Sequence, residues 1–474
     1  MIAPSLHPGP VSAVCVRRSR WGFGLTPRVL GLLMVGFVWL IPGFWDARFA
    51  YAMPAWELLV LVFALLDGAR LPAPAELTAS RSWSNAPALD SETEIELTVE
   101  NHGRTIVECR LIDDLPPALL VEPSTLRLTA FPRVPATLRY CVEPRERGDW
   151  ETGSLYIRCR SPLGLLERWA RAPLTQTVRV YPALRAGEEQ QIFLARSRQI
   201  ELQLRRARQR GLGRDFESLR EYREGDDLRD ICWTATARRG SPITRQYQSE
   251  RSQPIWIVLD CGRLMRSRVA IGAKAVQDSG PAQGRGVHSK LDYACTTAVA
   301  LAQLALYSGD RVGLLAYGEG VQQRLLPGRG AAHLRQLIES LAQLRAESGE
   351  ANHLRATATL NRLQPRRALI FWITDLAETA MRPEVIDGAA QLLRRHLLLF
   401  VAMAQPEVES IAQARPGNVE EMFRAAAAQE MAARRELLLA RLHEQGALTL
   451  DLNPAALTSS VLNQYLNIKE LAMV

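Results

Sequence analysis

Two long apolar runs stand back to back near the N-terminus, and they decide where the rest of the chain can go. Arg28 to Trp45 (RVLGLLMVGFVWLIPGFW) is apolar after its first residue, and Tyr51 to Leu71 (YAMPAWELLVLVFALLDGARL) follows a short loop carrying Asp46 and Arg48. At about 1.5 Å per helical residue the first run just crosses a hydrocarbon core of roughly 30 Å, and the second offers a return crossing. Trp39, Trp45, Tyr51 and Trp56 cluster around the loop, as an interfacial aromatic belt does. A cleaved signal peptide competes for the first run, but its leading segment is long, IPGFWDARFAYA is a poor cleavage site, and a second apolar run follows at once. A buried or amphipathic helix competes for the second run, on the strength of Glu57 and Asp67. The expectation is a transmembrane helical hairpin over 28–71.

Orientation follows from charge. Arg17, Arg18, Arg20 and Arg28 lie at the first run, so residues 1–27 are expected as a basic cytoplasmic N-terminus. Two crossings return the chain to that side, which puts the large soluble part at the cytoplasmic face of the inner membrane. Seven cysteines (15, 109, 141, 159, 232, 261 and 295) show no CxxC or Cys/His spacing, which argues against zinc and favours free thiols. A Cys109–Cys141 or Cys141–Cys159 bridge stays open.

From 72 to about 185 the pattern changes to period two. Runs at Glu94–Val99, Leu126–Thr129, Ala136–Tyr140, Leu155–Arg158 and Val178–Tyr181 alternate, separated by turn signals such as Asn101-His102-Gly103, Pro116-Pro117 and Ser161-Pro162-Leu163-Gly164. Short strands at that spacing predict a small β-sandwich. Residues 183–210 read as loop and helix. Their basic run, QIELQLRRARQR, interleaves no aromatic residues for base stacking, so a net charge of +8 is read as a solvated helical face and membrane orientation, not nucleic-acid binding.

Past 250 the chain alternates strands and helices. Ile255–Asp260, Arg311–Tyr317, Ala368–Thr374 and His396–Ala402 are apolar runs suited to buried parallel strands, with Leu448–Leu452 a possible edge. Helical periodicity fills Lys290–Tyr307, Ala331–Ala346, Leu354–Leu363, Pro383–Arg395, Glu420–Gly446 and Pro454–Leu471, and 266–289 reads as a long loop. This predicts a doubly wound, mostly parallel sheet over 251–474. The chain as a whole is then multidomain: hairpin, β-sandwich and α/β unit, with a linker segment at 186–250.

In such sheets ligands sit beyond the carboxyl ends of the strands, where Asp260 and Asp375 both fall. IVLDCGRLM, DRVGLLAYG and IFWITDLAE resemble the three strand motifs of a von Willebrand factor type A domain. That resemblance implies a first motif of Asp-x-Ser-x-Ser, whose hydroxyls join a threonine and a second aspartate around Mg²⁺. Here Gly262 and Leu264 occupy the hydroxyl positions, and Pro327 to Ala332 offers no threonine. Asp260 and Asp375 would therefore form a degenerate metal site, and no bound metal or other cofactor is expected.

The stretch from Gly211 to Arg245 adds a narrower match. Gly211-Leu212-Gly213, Phe216, Leu219-Arg220-Glu221-Tyr222, Gly225-Asp226-Asp227, Arg229, Ile231, Trp233, Ala237-Arg238 and Arg245 resemble the signature of the domain of unknown function 58 family. Lys290-Leu291, Ser161 to Leu165 and Val180-Tyr181-Pro182 fit it too. The resemblance implies a membrane-tethered protein with a von Willebrand-like domain, working with a MoxR-type AAA+ ATPase. Within the signature, Arg220, Tyr222, Gly225, Asp226, Asp227, Arg229, Trp233 and Arg238 are the candidate binding residues. Their expected role is a charge network in which Gly225 turns the two aspartates toward Arg220, Arg229 or Arg238, and Trp233 offers a face to an arginine.

Catalytic motifs do not emerge. There is no Gly-x-Ser-x-Gly elbow, Walker loop or His-Glu-x-x-His, and the seven histidines form no evident metal pair. Gly211-Leu212-Gly213-Arg214 lacks the third glycine of a dinucleotide fingerprint. The expectation is a non-enzymatic membrane adaptor. The alternatives are a metal-dependent hydrolase using Asp260 and Asp375 or Asp226 and Asp227, and an extracellular adhesion protein of opposite topology.

Overall fold

The computed structural model describes residues 14–39, 41, 51–121, 125–183, 192–199, 215–222, 231–248, 253–270, 287–376 and 383–471. The chain divides into two compact units, Met1–Ala183 and Leu184–Val474.

The first unit runs β1 (Val14–Cys15), β2 (Arg17–Leu25), α1 (Pro27–Gly36) and α2 (Ala52–Ala69). It continues with β3 (Leu77–Trp83), β4 (Thr93–Asn101), β5 (Val107–Asp113), β6 (Leu119–Val121), β7 (Leu126–Ala130), β8 (Pro135–Pro144), β9 (Gly148–Thr152), β10 (Leu155–Arg160), β11 (Leu166–Ala172) and β12 (Gln176–Val180). Two five-stranded sheets, ordered β1-β3-β4-β8-β6 and β2-β11-β10-β5-β7, supply one apolar core, with β12-β9 as a separate ribbon. Period-two burial is plain in β4, where every second residue from Thr93 to Asn101 is buried. One buried charge crosses that core. The Arg81 guanidinium pairs with Asp113, and its Nη1 donates to Thr152 Oγ1 at 2.8 Å and to the Leu174 carbonyl at 3.0 Å.

The expected boundary at residue 28 needs correction. Residues 14–25 are not a separate tail: β1 pairs with β3, and β2 pairs with β11. The sandwich is therefore built from chain on both sides of the two helices. The reason for the misreading is local: RRSRWGFGL alternates charge and apolar residues only loosely, beside a far stronger apolar signal. The seven cysteines are free thiols, as expected, and neither of the two bridges left open is formed. Cys109 and Cys159 face each other across β5 and β10 with sulfurs 3.5 Å apart, while Cys141 is exposed.

Among the described residues one helical span, Ala52–Glu76, is long and apolar enough to cross a membrane, and Pro27–Trp39 is a shorter apolar helix. Part of the expected first run, residues 40 and 42–45, lies outside the described residues. The two helices pack closely. A Cβ on Gly36 would lie 2.9 Å from the Trp56 ring, and the Trp56 indole N–H donates to the Leu32 carbonyl at 2.9 Å. Leu30, Met34, Leu58, Leu61, Phe63 and Leu65 are exposed on them.

Asp67, which weighed against a second span in the sequence, has a specific use. It is buried at the end of α2, where its carboxylate accepts the backbone N–H groups of Leu163 (3.1 Å) and Leu165 (3.3 Å). These belong to the Ser161–Leu165 turn between β10 and β11, which needs the positive φ of Gly164 (+70°). From the other side, the Thr26 hydroxyl at the start of α1 donates to the Gly164 carbonyl at 2.7 Å, and Arg28 donates to that of Leu163 at 3.2 Å. One turn of the sandwich is thus gripped by both helices. Asp67→Ala is expected to leave buried backbone donors unsatisfied, at roughly 1–3 kcal/mol each. Limited trypsinolysis of the full chain in detergent should then cut faster at Arg160 or Arg168; an unchanged rate would contradict this role for Asp67.

The second unit opens with a helix over 192–199 and a hairpin of β13 (Asp215–Glu221) and β14 (Ile243–Gln248), with α3 (Trp233–Arg239) between them. The rest of 183–210 falls almost wholly outside the described residues. Next come β15 (Pro254–Asp260), the small hairpin β16 (Arg268–Ala270) and β17 (Val287–Ser289), α4 (Lys290–Tyr307), β18 (Arg311–Tyr317), β19 (Val321–Gly328), α5 (Gly330–Ala342) and α6 (His353–Leu363). Then follow β20 (Leu369–Thr374), α7 (Pro383–Leu393), β21 (Leu397–Met403), α8 (Pro406–Gln413), α9 (Val419–Glu444), β22 (Leu448–Leu452) and α10 (Leu457–Glu470).

The main sheet has the order β19-β18-β15-β20-β21-β22. All its neighbouring strands are parallel except the antiparallel edge β19. β15 and β20 are buried along their lengths, as strands covered on both faces must be. Chain order reverses between β15 and β20, so their carboxyl ends define the switch point of the sheet. The strand β19 and helix α8 were not expected from sequence. VQQRLLPG lacks clear alternation and carries a proline, which suits an edge strand.

Candidate functional site

Asp260 closes β15 and Asp375 directly follows β20, so the switch point brings the two sequence-predicted carboxylates to one edge. Each is buried and each already has partners. Asp260 Oδ1 accepts the Gly262 N–H at 2.7 Å, and Oδ2 accepts the Thr374 hydroxyl at 2.6 Å. Asp375 Oδ2 accepts from Lys290 Nζ at 2.6 Å and from Gln405 Nε2 at 3.1 Å, while Arg435 Nη1 lies 3.7 Å from Oδ1. Arg435 also forks onto Asp451, at 3.0 and 2.5 Å. The geometry is a chain of alternating charges, Lys290–Asp375–Arg435–Asp451, running from the end of β20 to the edge strand β22.

Local sequence explains why Lys290 points here. Ser289 caps α4: its hydroxyl accepts the Asp292 N–H, and the Asp292 carboxylate accepts the Ser289 N–H at 3.2 Å. The Lys290 N–H is bound to the Ser267 carbonyl at 2.9 Å. With the helix start held, Lys290 is 1% exposed, and burying an ammonium so fully requires a partner of this kind.

The loop after α5 folds over the Asp260 side. The Glu347 N–H donates to the Cys261 carbonyl at 2.7 Å, and the Arg263 N–H donates to that of Gly349 at 2.9 Å. The Glu347 carboxylate accepts the Glu319 N–H and Gln322 Nε2, both at 2.7 Å. Gly262 is crowded by this loop: a Cβ there would lie 2.9 Å from the Ala351 nitrogen and 3.0 Å from its Cβ. A serine at 262 has no room. Beneath, the Trp372 indole N–H donates to Tyr317 Oη at 2.6 Å, which lies 2.9 Å from His353 Nδ1. Burial pushes the Tyr317 phenol well above its ordinary range.

The residues present do not fit the Mg²⁺ cage that the resemblance implies. Gly262 and Leu264 bring no hydroxyl, the Gly262 position cannot take one, and a lysine ammonium already sits on Asp375. Among the described residues no group of three or more His, Cys, Asp and Glu side chains is placed to hold a metal ion.

The signature segment is placed in part. Arg220 lies on β13 and is half-buried; the N–H of Tyr222, just past the strand, donates to the Pro242 carbonyl at 2.9 Å. Trp233 and Arg238 lie on α3, which docks on β14 through Cys232 N–H to the Ile243 carbonyl (2.8 Å) and Ile243 N–H to Thr236 Oγ1 (3.0 Å). Trp233 is 70% exposed and Arg238 is exposed, so these two stand on a surface and not in a buried network. Gly225, Asp226, Asp227 and Arg229 lie outside the described residues. Sequence reasoning singled out Lys290 only as part of a motif and missed Thr374, Gln405, Arg435 and Glu347. No local pattern marks them; each is defined by its distance from Asp260 or Asp375 across the fold.

Burial pushes the Asp260 carboxyl up to about 6, with the Asp375 and Glu347 charges adding to it, against the Thr374 and Gly262 hydrogen bonds. The folded state then holds this proton more tightly than the unfolded state, so the group's contribution to stability is present below 3.8 and is lost as pH rises towards about 6. Asp260→Asn removes that loss. Its thermal stability relative to the parent protein is expected to improve as pH rises across the same window, and a flat difference would contradict the assignment.

A family model described as protein of unknown function DUF58 matches residues 218–421. Uncharacterized proteins of Mycobacterium tuberculosis and Mycobacterium bovis are 27% identical over 200 residues, 41% of this chain. The chain spans about half the length of these curated relatives, 56% of each. Among solved structures, the conserved hypothetical protein BatB from Bacteroides thetaiotaomicron is similar at 15% identity and a TM-score of 0.27, over 47% of this chain and 98% of that one. A von Willebrand factor type A protein from Catenulispora acidiphila is similar at 12% identity and a TM-score of 0.26, over 48% of this chain and 44% of that one.

Proposed function

We propose, from the match of residues 218–421 to the DUF58 family model, that this chain is a membrane-anchored adaptor, not an enzyme. Its α/β unit offers a docking surface to a protein partner, a MoxR-type AAA+ ATPase. The observation that carries this reading is the internal satisfaction of the switch-point carboxylates. Asp260 is held by Thr374 and Gly262, and Asp375 by Lys290 and Gln405. A hydrolase would need one of them turned toward substrate or metal. Exposed Trp233 and Arg238 are residue types enriched where proteins dock, and they belong to the proposed contact surface with Arg220 and Tyr222.

The anchor is the pair α1 and α2, with the soluble part on the cytoplasmic side. Two things support it. Exposed leucine, methionine and phenylalanine on both helices are costly in water and at home in lipid. Strands β1 and β2 precede α1 yet share a sandwich with strands that follow α2, which supports a chain that leaves and re-enters on one side. The arginines at 17, 18, 20 and 28 choose the cytoplasmic side.

Affinity capture of the tagged full chain from detergent-solubilised membranes is expected to recover an AAA+ ATPase, with recovery reduced at least tenfold in Trp233→Ala/Arg238→Ala, a loss of about 1.4 kcal/mol or more. Capture unaffected by the double substitution would remove this face from the contact. Recovery of no ATPase would count against the partner. A C-terminal reporter active only outside the cytoplasm would overturn the topology.

A further inference from the structure

We propose that Lys290 is a tethered counter-ion: its ammonium takes the electrostatic place of a divalent cation at the Asp260–Asp375 edge and makes the fold of the α/β unit independent of such ions. A carboxylate that is 0% exposed cannot stay charged without a compensating charge close by. Lys290 supplies it at 2.6 Å, from a side chain itself 2% exposed, and Gln405 fills a further direction on the same oxygen at 3.1 Å. Arg435 stands on the other oxygen at 3.7 Å.

A cation entering this edge would meet three obstacles. It must displace or face the Lys290 ammonium, which repels it. It must compete with the Thr374 hydroxyl and the Gly262 N–H for both oxygens of Asp260. It finds no neutral oxygen donor at 262, where the Ala351 backbone leaves no space for one. A hard divalent ion needs a near-complete oxygen shell, and these side chains withhold it.

The lysine also differs from an ion in permanence. It cannot dissociate, so the charge balance does not vary with ion concentration. The docking reading above places its contact at Trp233 and Arg238, not at this buried edge. The counter-ion role itself does not depend on that reading, and the stability measurements below test it alone.

The test uses the full chain in detergent micelles, followed by thermal unfolding in EDTA and in millimolar Mg²⁺ or Mn²⁺. The parent protein is expected to unfold at the same temperature in all three. Lys290→Met keeps the volume but strands the Asp375 charge, and its midpoint is expected to fall by on the order of 10 °C. Adding Asp375→Asn removes the stranded charge and is expected to recover most of that loss, a recovery that a merely space-filling lysine would not produce. Should Lys290→Met fail to fold, folding of the double variant alone carries the same result. A midpoint of the parent protein that rises with Mg²⁺ or Mn²⁺ would overturn the proposal, as would Lys290→Met unfolding with the parent, or a double variant no better than the single one.

Discussion

The ion pair between Lys290 and Asp375 is the contact around which the α/β unit is arranged. It joins the start of α4 to the end of β20, two segments 85 residues apart, at the point where the sheet reverses its winding. In open sheets of this kind the switch point is a crevice that ordinarily receives a ligand. Here the chain fills it from within. The capped start of α4 delivers the ammonium, α8's approach delivers Gln405, and α9 delivers Arg435. The opposite carboxylate, Asp260, is closed by Thr374 and by the loop that crosses Gly262.

A second joint organises the N-terminal unit. Asp67 and Thr26 grip the Ser161–Leu165 turn from two helices, so the apolar pair is not merely attached to the sandwich by its chain ends. β1 and β2 reinforce this by entering the two sheets before α1 begins. Rigid coupling follows from buried, hydrogen-bonded contacts with few alternatives. The two apolar helices are thereby fixed against one turn of the sandwich.

Much of the architecture was legible in the chain. Apolar runs ending in Asp260 and Thr374 marked the buried parallel strands to within a residue or so, because strands covered on both faces have no polar positions to blur the pattern. The edges were harder. β19 and β2 face less core, so their residue types are less constrained, and both were passed over. The site was half legible. Asp260 and Asp375 stood out by position, and Gly262 signalled the missing hydroxyl. The partners that explain it did not stand out: nothing near Arg435 or Gln405 in sequence refers to residue 375. Asp67 entered the sequence reading only as support for a buried helix, and its acceptor role at the helix end depends on a turn 96 residues further along the chain, which no local pattern reveals.

The account turns on what neutralises the carboxylates at the end of β15 and β20. A crystal structure of the protein grown in Mn²⁺, with anomalous data, reads this directly. The account predicts no anomalous peak between Asp260 and Asp375, with Lys290 Nζ in hydrogen-bond contact with Asp375. A peak at that edge, with the lysine swung away, would contradict it.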